Sequence, residues 1–470
     1  MIDLSPLRGQ HGAVMGLGKT GLSAALSLLK AGVKIVAWDD NSAARHEAEE
    51  LGIPVSDLLT CDIAHINFLV WSPGIPHHFP EPHPVALRAT AAHVPLICDI
   101  DILSRIQTDA DFIGVTGTNG KSTTTALIGH ILKYFRKAEV GGNIGMPVLD
   151  LEPLGTDGTY VIEMSSYQTE LTPHFNPVGA VLLNITPDHL KRHGGMEGYI
   201  AAKKQIFANG DTASRKAVAV ICIDTEPCRL IAEDMINAGV WTVIPVSTCQ
   251  TLDRGVYVED GQLYEVRNSK AVLIGDLTSM SALKGRHNHE NAACAYAILH
   301  HVYGFDPAHI LDAMKSFAGL QHRQFLVRTL GGVAYINDSK ATNADATEKA
   351  LICYRNIHWI LGGQAKEGGL KGLEDYMNRI SHAYLIGEAA PQFSDWLKQH
   401  KVPYTHCGTL DVAVTEAHHH AQAHRNDTGF QGAGVVLLSP ACASWDQFRS
   451  FEHRGQVFAD MVMQLKEDVS

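Results

Sequence analysis

An α/β fold built from three domains is what the sequence predicts, and three observations carry that expectation. The chain has 470 residues, a length that divides into about three domains of about 100 to 200 residues, each able to bury its own core. Short apolar runs suited to strands alternate with helical stretches along the whole chain. Twice, an apolar run passes directly into a glycine-rich turn that opens a helix, at Gly16 to Gly21 and at Gly114 to Thr123, a pattern suited to holding phosphates at a helix N-terminus. With 45% hydrophobic and 19% charged residues, the composition is that of an ordinary globular protein.

In the first unit, Ala13 to Gly16 reads as a strand end, Thr20 to Ala31 as a helix, and Val33 to Trp38 as a second strand ending at Asp39-Asp40. A further strand, Ile66 to Trp71, stops at Ser72-Pro73-Gly74, and a helix over Asp99 to Ile106 leads into the polar linker Gln107 to Asp111. The second unit opens with the strand Phe112 to Val115, its glycine loop, and a helix from about Ser122, followed by strands at Tyr160 to Met164 and Ala180 to Asn184. A basic, glycine-containing stretch from Phe317 to Gln324 forms the second linker. The third unit alternates strands at Ala334 to Ile336, His358 to Leu361, Ala383 to Ile386 and Val435 to Leu438 with helices. The expected domains are therefore 1–107, 108–320 and 321–470, without internal repeats or low-complexity tracts.

A formal charge of -12 argues against a general nucleic-acid or membrane-surface binder, which needs a basic face. The nine scattered cysteines contain no Cys-x-x-Cys pair and read as buried thiols in a reducing compartment. The start Met-Ile-Asp-Leu-Ser-Pro lacks the basic and apolar parts of a signal peptide, and no run approaches the roughly 18 apolar residues of a membrane span. A cytoplasmic protein is expected.

Gly16-Leu17-Gly18-Lys19-Thr20-Gly21 fits a dinucleotide fingerprint, with Asp39 placed 23 residues after Gly16, near where a ribose-binding acid would sit. Alone it is as compatible with a turn that merely packs helix on strand, and an NAD-dependent oxidoreductase remains an alternative. The second loop, Gly117-Thr118-Asn119-Gly120-Lys121-Ser122-Thr123, is more specific. It supplies backbone N–H groups and a helix dipole for phosphate oxygens, Lys121 for the β/γ charge, and Ser122 as a magnesium ligand. The usual glycine five positions before Gly120 is Val115 here, which points to a subclass of phosphate loops. Glu163, at a strand end, could bind the same magnesium, and His189 in Asn184-Ile185-Thr186-Pro187-Asp188-His189 could ligate a metal. On residue type alone each is more simply a solvated group, as is Lys203 on its helix. The histidines 418, 419, 420 and 424 are expected on an exposed helix face without metal.

Together the phosphate loop, Gly142-Asn143-Ile144-Gly145, Glu163-Met164-Ser165-Ser166 and the segment from Asn184 to His189 resemble the Mur ligase family, and the likeness spans all three units. Gly285-Arg286-His287-Asn288, His322-Arg323 and Asn337-Asp338-Ser339-Lys340-Ala341-Thr342-Asn343 resemble the family's nucleotide-contacting and C-terminal signatures. Leu438 to Phe448 resembles its D-glutamate-adding branch, with Trp445 where leucine is common and Lys19 in place of an apolar residue. The Asp-Asn-Pro-Arg signature of the diaminopimelate-adding branch is absent, and the segment Met1 to Ile106 argues against folylpolyglutamate synthetase.

The resemblance implies a Rossmann-like N-terminal domain for UDP, a central P-loop ATPase domain with a mostly parallel sheet, and a Rossmann-like C-terminal domain for the amino acid. It implies ATP-dependent addition of D-glutamate to UDP-N-acetylmuramoyl-L-alanine through an acyl phosphate, with two magnesium sites, by a monomer. Lys121, His189 and a carbamylated Lys203 would be catalytic. Gly117 to Thr123, Asn288, Arg323, Asp338 and Lys340 would hold ATP, and Ser122, Glu163, His189 and Lys203 the metals. Gly18, Lys19, Thr20, Asp39, Ser72, Gly74, Asn143 and Ser165 would bind the UDP substrate, and Thr342, Lys366, Ser444 and Phe451 D-glutamate.

Overall fold

The structure, a computed structural model, describes residues 2–212, 215–366, 368–423 and 434–467. Strands covered on both faces need apolar residues throughout, and the segments Phe68–Trp71, Gly158–Glu163 and Val435–Leu438 are buried from end to end. Such strands lie inside three mostly parallel sheets, so the expected α/β class stands.

The first sheet contains β1 (His11–Met15), β2 (Lys34–Trp38), β3 (Phe68–Trp71) and β4 (Leu96–Ile97), all parallel in the order β2-β1-β3-β4. The second is formed by β5 (Asp111–Thr116), β6 (Lys137–Gly142), β7 (Gly158–Glu163) and β8 (Gly179–Leu182). A short antiparallel pair, β9 (Asp211–Thr212) and β10 (Arg215–Lys216), stands apart from it. The second sheet then takes in β11 (Val218–Cys222), β12 (Thr242–Ser247), β13 (Gly255–Glu259), β14 (Gln262–Arg267) and β15 (Lys270–Asp276). Its order is β15-β14-β13-β12-β11-β8-β5-β7-β6. Only the β13-β14-β15 edge is antiparallel, and there burial alternates along β14, as expected for a sheet with one wet face.

The described residues divide into two compact units. One comprises Met1–Ser279 with Asn288–Ser316, and in it a continuous apolar cluster runs from Ile2 to Trp241 across both sheets. Backbone bonds Ile2 N–H to Leu149 O at 3.1 Å and Cys98 N–H to Leu171 O at 2.9 Å tie the two sheets' regions together.

The other unit comprises Met280–His287 with Phe317–Ser470. Its sheet contains β16 (Phe325–Leu330), β17 (Val333–Asn337), β18 (Ile357–Gly362), β19 (Ile380–Ile386), β20 (Tyr404–Gly408) and β21 (Val435–Leu438). The order is β16-β17-β21-β18-β19-β20, antiparallel only at β16. One apolar cluster packs around Leu351, Phe393 and Leu397, another around Val414, Ala417 and Phe458.

Candidate active site

Three neighbouring strands, in the order β8-β5-β7, end on one edge of the nine-stranded sheet, the place where α/β proteins bind ligands. From β5 the chain turns through Gly117 to Gly120 into the helix Lys121–Leu132. Gly120 caps that helix at φ 86°, and a Cβ there would collide with Asn291 Oδ1, so only glycine serves. The loop is braced from both sides. Asn119 N–H donates to Asn184 Oδ1 at 2.8 Å, Thr186 N–H to Thr118 Oγ1 at 3.0 Å, and Thr124 Oγ1 to Asn291 Oδ1 at 3.0 Å. Asn291 Nδ2 in turn donates to Asn288 Oδ1 at 3.1 Å, which brings Asn288 to the loop's flank. Lys121 Nζ donates to the carbonyls of Gly117 and Thr118 at 3.0 and 2.9 Å.

Lys203, on the helix Met196–Lys204, is 1% exposed. Its Nζ donates to the same Gly117 carbonyl at 2.7 Å and lies 4.7 Å from the centre of the Tyr199 ring. Burial, reinforced by the charge of Lys121, brings its pKa down to about 7. Lys204, one residue and about 100° further round the helix, is exposed and pairs with Asp234 at 3.7 Å.

Glu163 ends β7 and is buried. Its Oε1 accepts from Asn143 Nδ2 at 3.1 Å, while Oε2 is buried without a hydrogen-bond partner. A bare buried carboxylate oxygen is costly, and a hard divalent cation is the partner that suits it. Ser122, also buried, follows Lys121 at the helix start. The donor set Ser122 and Glu163 therefore fits magnesium. His189 and Lys203 fit a second ion only if the lysine carries an anionic group, since an ammonium repels cations. His189 sits at φ 51° as the cap of the helix Leu190–His193, its Nε2 3.4 Å from Asp188 Oδ2.

A cavity of about 480 Å³ opens beside this edge, lined among others by Thr20, Gly74, Asn143, Ser165, Tyr167 and His189. Residues expected to hold the nucleotide sugar thus meet those expected to hold metal. Gly18 caps the helix Lys19–Lys30, and Lys19 Nζ reaches Gly145 O at 3.4 Å. Ser72 packs so closely on Gly16, at φ 92°, that a Cβ there would strike it. Asp39 Oδ2 accepts from Leu17 N–H at 2.7 Å, so this acid also shapes the glycine turn itself.

In the C-terminal unit, Asp338 follows β17 and is buried, with Ser439 Oγ donating to Oδ2 at 2.7 Å and Gln324 N–H to Oδ1 at 3.1 Å. Burial raises its pKa to about 7, against the opposing effect of those bonds and of Arg323. Lys340 Nζ lies 3.8 Å from the centre of the Phe451 ring, and Ser339 Oγ donates to Phe451 O at 2.8 Å. Lys366 Nζ is 3.4 Å from Thr342 Oγ1 and lines a cavity of about 810 Å³ with Asn343, Ala344 and Lys371. Ser444 is buried nearby in sequence to Cys442 and Ala443, whose carbonyls accept from Arg454.

Arg454 was not among the residues expected from the sequence. It is fully buried and also donates to Ser339 Oγ at 3.0 Å and Ser339 O at 2.8 Å, joining the two signature segments. Asn291 and Tyr199 were likewise not singled out. Asn291 lies three residues beyond Asn288, one helical turn on, which is the signal that could have found it. Two expectations need correction. His418 is buried against Tyr335 Oη at 2.6 Å rather than exposed, while His424 lies outside the described residues. The cysteines are all free, yet only five are buried and Cys249 is exposed, because the turn after β12 carries it to the surface.

Residues 115–299 match the model of the Mur ligase middle domain. The chain is 52% identical over 471 residues to a UDP-N-acetylmuramoylalanine–D-glutamate ligase of Rhodospirillum rubrum, covering 99% of this chain and 97% of the relative. It is 44% identical over 468 residues to the enzyme of the same name from Caulobacter vibrioides, covering 97% and 96%. Among solved structures, UDP-N-acetylmuramate-alanine ligase from Thermotoga maritima shares the fold at a TM-score of 0.57 and 17% identity, covering 97% of this chain and 99% of its own. MurF ligase from Thermotoga maritima, solved in complex with ADP, aligns at a TM-score of 0.55 and 17% identity over 98% and 97% of the two chains.

Proposed function

The chain belongs to the Mur ligase family, among relatives that are UDP-N-acetylmuramoylalanine–D-glutamate ligases, and from that premise we propose that it joins D-glutamate to UDP-N-acetylmuramoyl-L-alanine at the expense of ATP. The product is a peptidoglycan precursor. The observation that carries the reading into chemistry is the meeting of Lys121 and the buried Lys203 on one carbonyl of the phosphate loop.

A free carboxylate is a poor electrophile, because displacement would have to expel oxide. Transfer of the γ-phosphoryl group of ATP to the alanine carboxylate forms an acyl phosphate and releases ADP. The D-glutamate amine then attacks the acyl carbon, the tetrahedral intermediate expels phosphate, and the amine proton is lost to leave the amide. Lys121 and the loop N–H groups offset the phosphate charge. Asn143 and Ser165 orient the muramoyl end, while Gly18, Lys19, Thr20, Asp39, Ser72 and Gly74 hold the UDP end. Magnesium, at Ser122 with Glu163 and at His189 with carbamylated Lys203, would supply further positive charge. Asn288, Arg323, Asp338 and Lys340 take ATP, and Thr342, Lys366, Ser444 and the backbone at Phe451 take D-glutamate.

In this reading residues 1–107 bind UDP, 108–320 bind ATP and 321–470 bring the amino acid, in a monomer. No helix among the described residues is long and apolar enough to cross a membrane, and consumption of ATP assigns the reaction to the cytoplasm. Phosphate release measured with each substrate omitted in turn tests the function. Release should require ATP, UDP-N-acetylmuramoyl-L-alanine and D-glutamate together. Release that ignores either of the last two, or hydride transfer with NADH bound at the first glycine turn, would overturn it.

A further inference from the structure

A polar cluster that none of the assigned roles uses lies behind the 480 Å³ cavity. Arg192 Nη2 donates to Ile75 O at 2.9 Å, to Pro73 O at 3.5 Å and to His77 Nδ1 at 3.2 Å. A guanidinium has only donors, so His77 Nδ1 accepts and its proton sits on Nε2. That nitrogen faces Glu170 Oε2 at 3.7 Å, and Glu170 Oε1 lies 3.3 Å from His193 Nδ1. His193 Nε2 is 2.9 Å from Ser166 Oγ. Both imidazoles are almost wholly buried, at 3% and 0% side-chain exposure, with Glu170 at 22%. The guanidinium carbon is 5.0 Å from the centre of the Tyr167 ring, which itself stacks on His193.

The cluster therefore spans two walls of the cavity. Pro73 and Gly74 form one, and Tyr167, Gln168 and His189 belong to the other. Arg192 and His193 belong to the four-residue helix Leu190–His193, which His189 caps in a left-handed conformation at φ 51°. So short a helix cannot hold its own position, and a left-handed histidine persists only when its surroundings impose it. Arg192, held by the loop that follows β3, and His193, held by Ser166 and Glu170 beyond β7, supply that imposition.

We propose that Arg192, Glu170, His77 and His193 form a positioning unit that couples seating of the nucleotide-sugar substrate against the Pro73-Gly74 loop to the placement of His189. The inference rests on the function proposed above for the same cavity. Each member acts through its neighbours, and none needs to touch the reacting atoms.

Steady-state kinetics of Arg192→Met, Glu170→Gln and the double variant, with each substrate varied in turn, test it. Each single change should raise KM for UDP-N-acetylmuramoyl-L-alanine about tenfold and lower kcat about tenfold, leaving KM for ATP and D-glutamate within about twofold. The double variant should be no worse than the worse single, because members of one unit are not additive, and Arg192→Lys should recover part of the loss. Effects that multiply in the double variant, or a lowered kcat that merely follows loss of folded protein with KM unchanged, would overturn the proposal. A wild-type enzyme without three-substrate phosphate release would refute the functional reading instead, whereas an active wild type with wild-type-like variants would refute the positioning unit alone.

Discussion

Lys203 and Lys121 donate to one and the same acceptor, the carbonyl oxygen of Gly117, at 2.7 and 3.0 Å. Two ammonium groups gathered on one oxygen repel each other, and the buried one yields. Burial first and Lys121 second bring Lys203 down to about 7, so near neutral pH much of it is a free amine able to add carbon dioxide and release a proton. The resulting carbamate would turn repulsion of Lys121 into attraction and offer oxygens to magnesium.

The first prediction follows from that change of sign. Lys203→Arg should be nearly inactive, since arginine keeps the charge but cannot become an anion. Lys203→Ala should regain part of its turnover when a small carboxylic acid is added. Intact-mass measurement at high bicarbonate should find the wild type heavier by one carbon dioxide. An active arginine variant with no rescue of the alanine variant would exclude the carbamate.

Glu163 supports a second prediction. Glu163→Gln keeps the oxygen that accepts from Asn143 Nδ2 but replaces the unpartnered Oε2 with a neutral amide. The magnesium concentration for half-maximal activity should rise more than about tenfold, corresponding to about 1.4 kcal/mol or more of lost ion binding. Without magnesium the variant should melt higher than the wild type, because a buried, half-satisfied charge has been removed. A magnesium titration of activity and a melting curve in chelator check the two halves separately.

How much of this was legible in the sequence depends on range. The phosphate loop and Asp188-His189 follow strands, and Glu163 ends one, whose apolar runs are local signals, and the structure sets β5, β7 and β8 side by side. The run Val435–Leu438 was read to the residue because all of it is apolar. Lys203 was different. Its burial comes from packing against Tyr199 and Gly117, 86 residues away in sequence in the latter case, and periodicity cannot see that. His418 deceived for the same reason, being polar by type but bonded to Tyr335 on a strand 83 residues earlier. The antiparallel edge β13 to β15 escaped because its apolar runs, such as Val256 to Val258 and Ala271 to Ile274, are short and set between charged residues, and β15 is mostly exposed, while Arg454 is a charged residue whose burial depends on Ser339, 115 residues away.

A third prediction concerns the acceptor amino acid. Lys366 lines a cavity with Lys371 and the start of the helix Ala344–Cys353, and touches Thr342. Loss of one charge-assisted contact to a carboxylate costs about 1.5 to 3 kcal/mol, or about 10- to 150-fold in KM. Lys366→Ala should raise KM for D-glutamate by that factor and leave KM for ATP within about threefold. Equal rises in both would place the lysine elsewhere in the reaction.

Asp338 yields the last prediction, because its environment sets stability against function. Burial raises its pKa from 3.8 to about 7, outweighing the donors Ser439 Oγ and Gln324 N–H and the charge of Arg323. The folded protein therefore binds this proton more tightly than the unfolded chain does. Between the unfolded value near 3.8 and the folded value near 7, rising pH removes that advantage, so the carboxyl destabilises the fold fully above about pH 7 and not at all below about pH 4. Asp338→Asn replaces the acid by a neutral amide whose Oδ1 still accepts from Gln324, and whose Nδ2 can donate to the Ser439 hydroxyl. The variant should melt higher than the wild type at pH 8, and the gap should shrink as pH falls toward 5. Its KM for ATP should rise at the same time, the usual exchange of activity for stability at a strained site. Melting curves across that range, taken without nucleotide, give the decisive comparison: a stability gap that is constant with pH, or one that widens toward acid, would mean that Asp338 is not held as a raised acid in the folded chain.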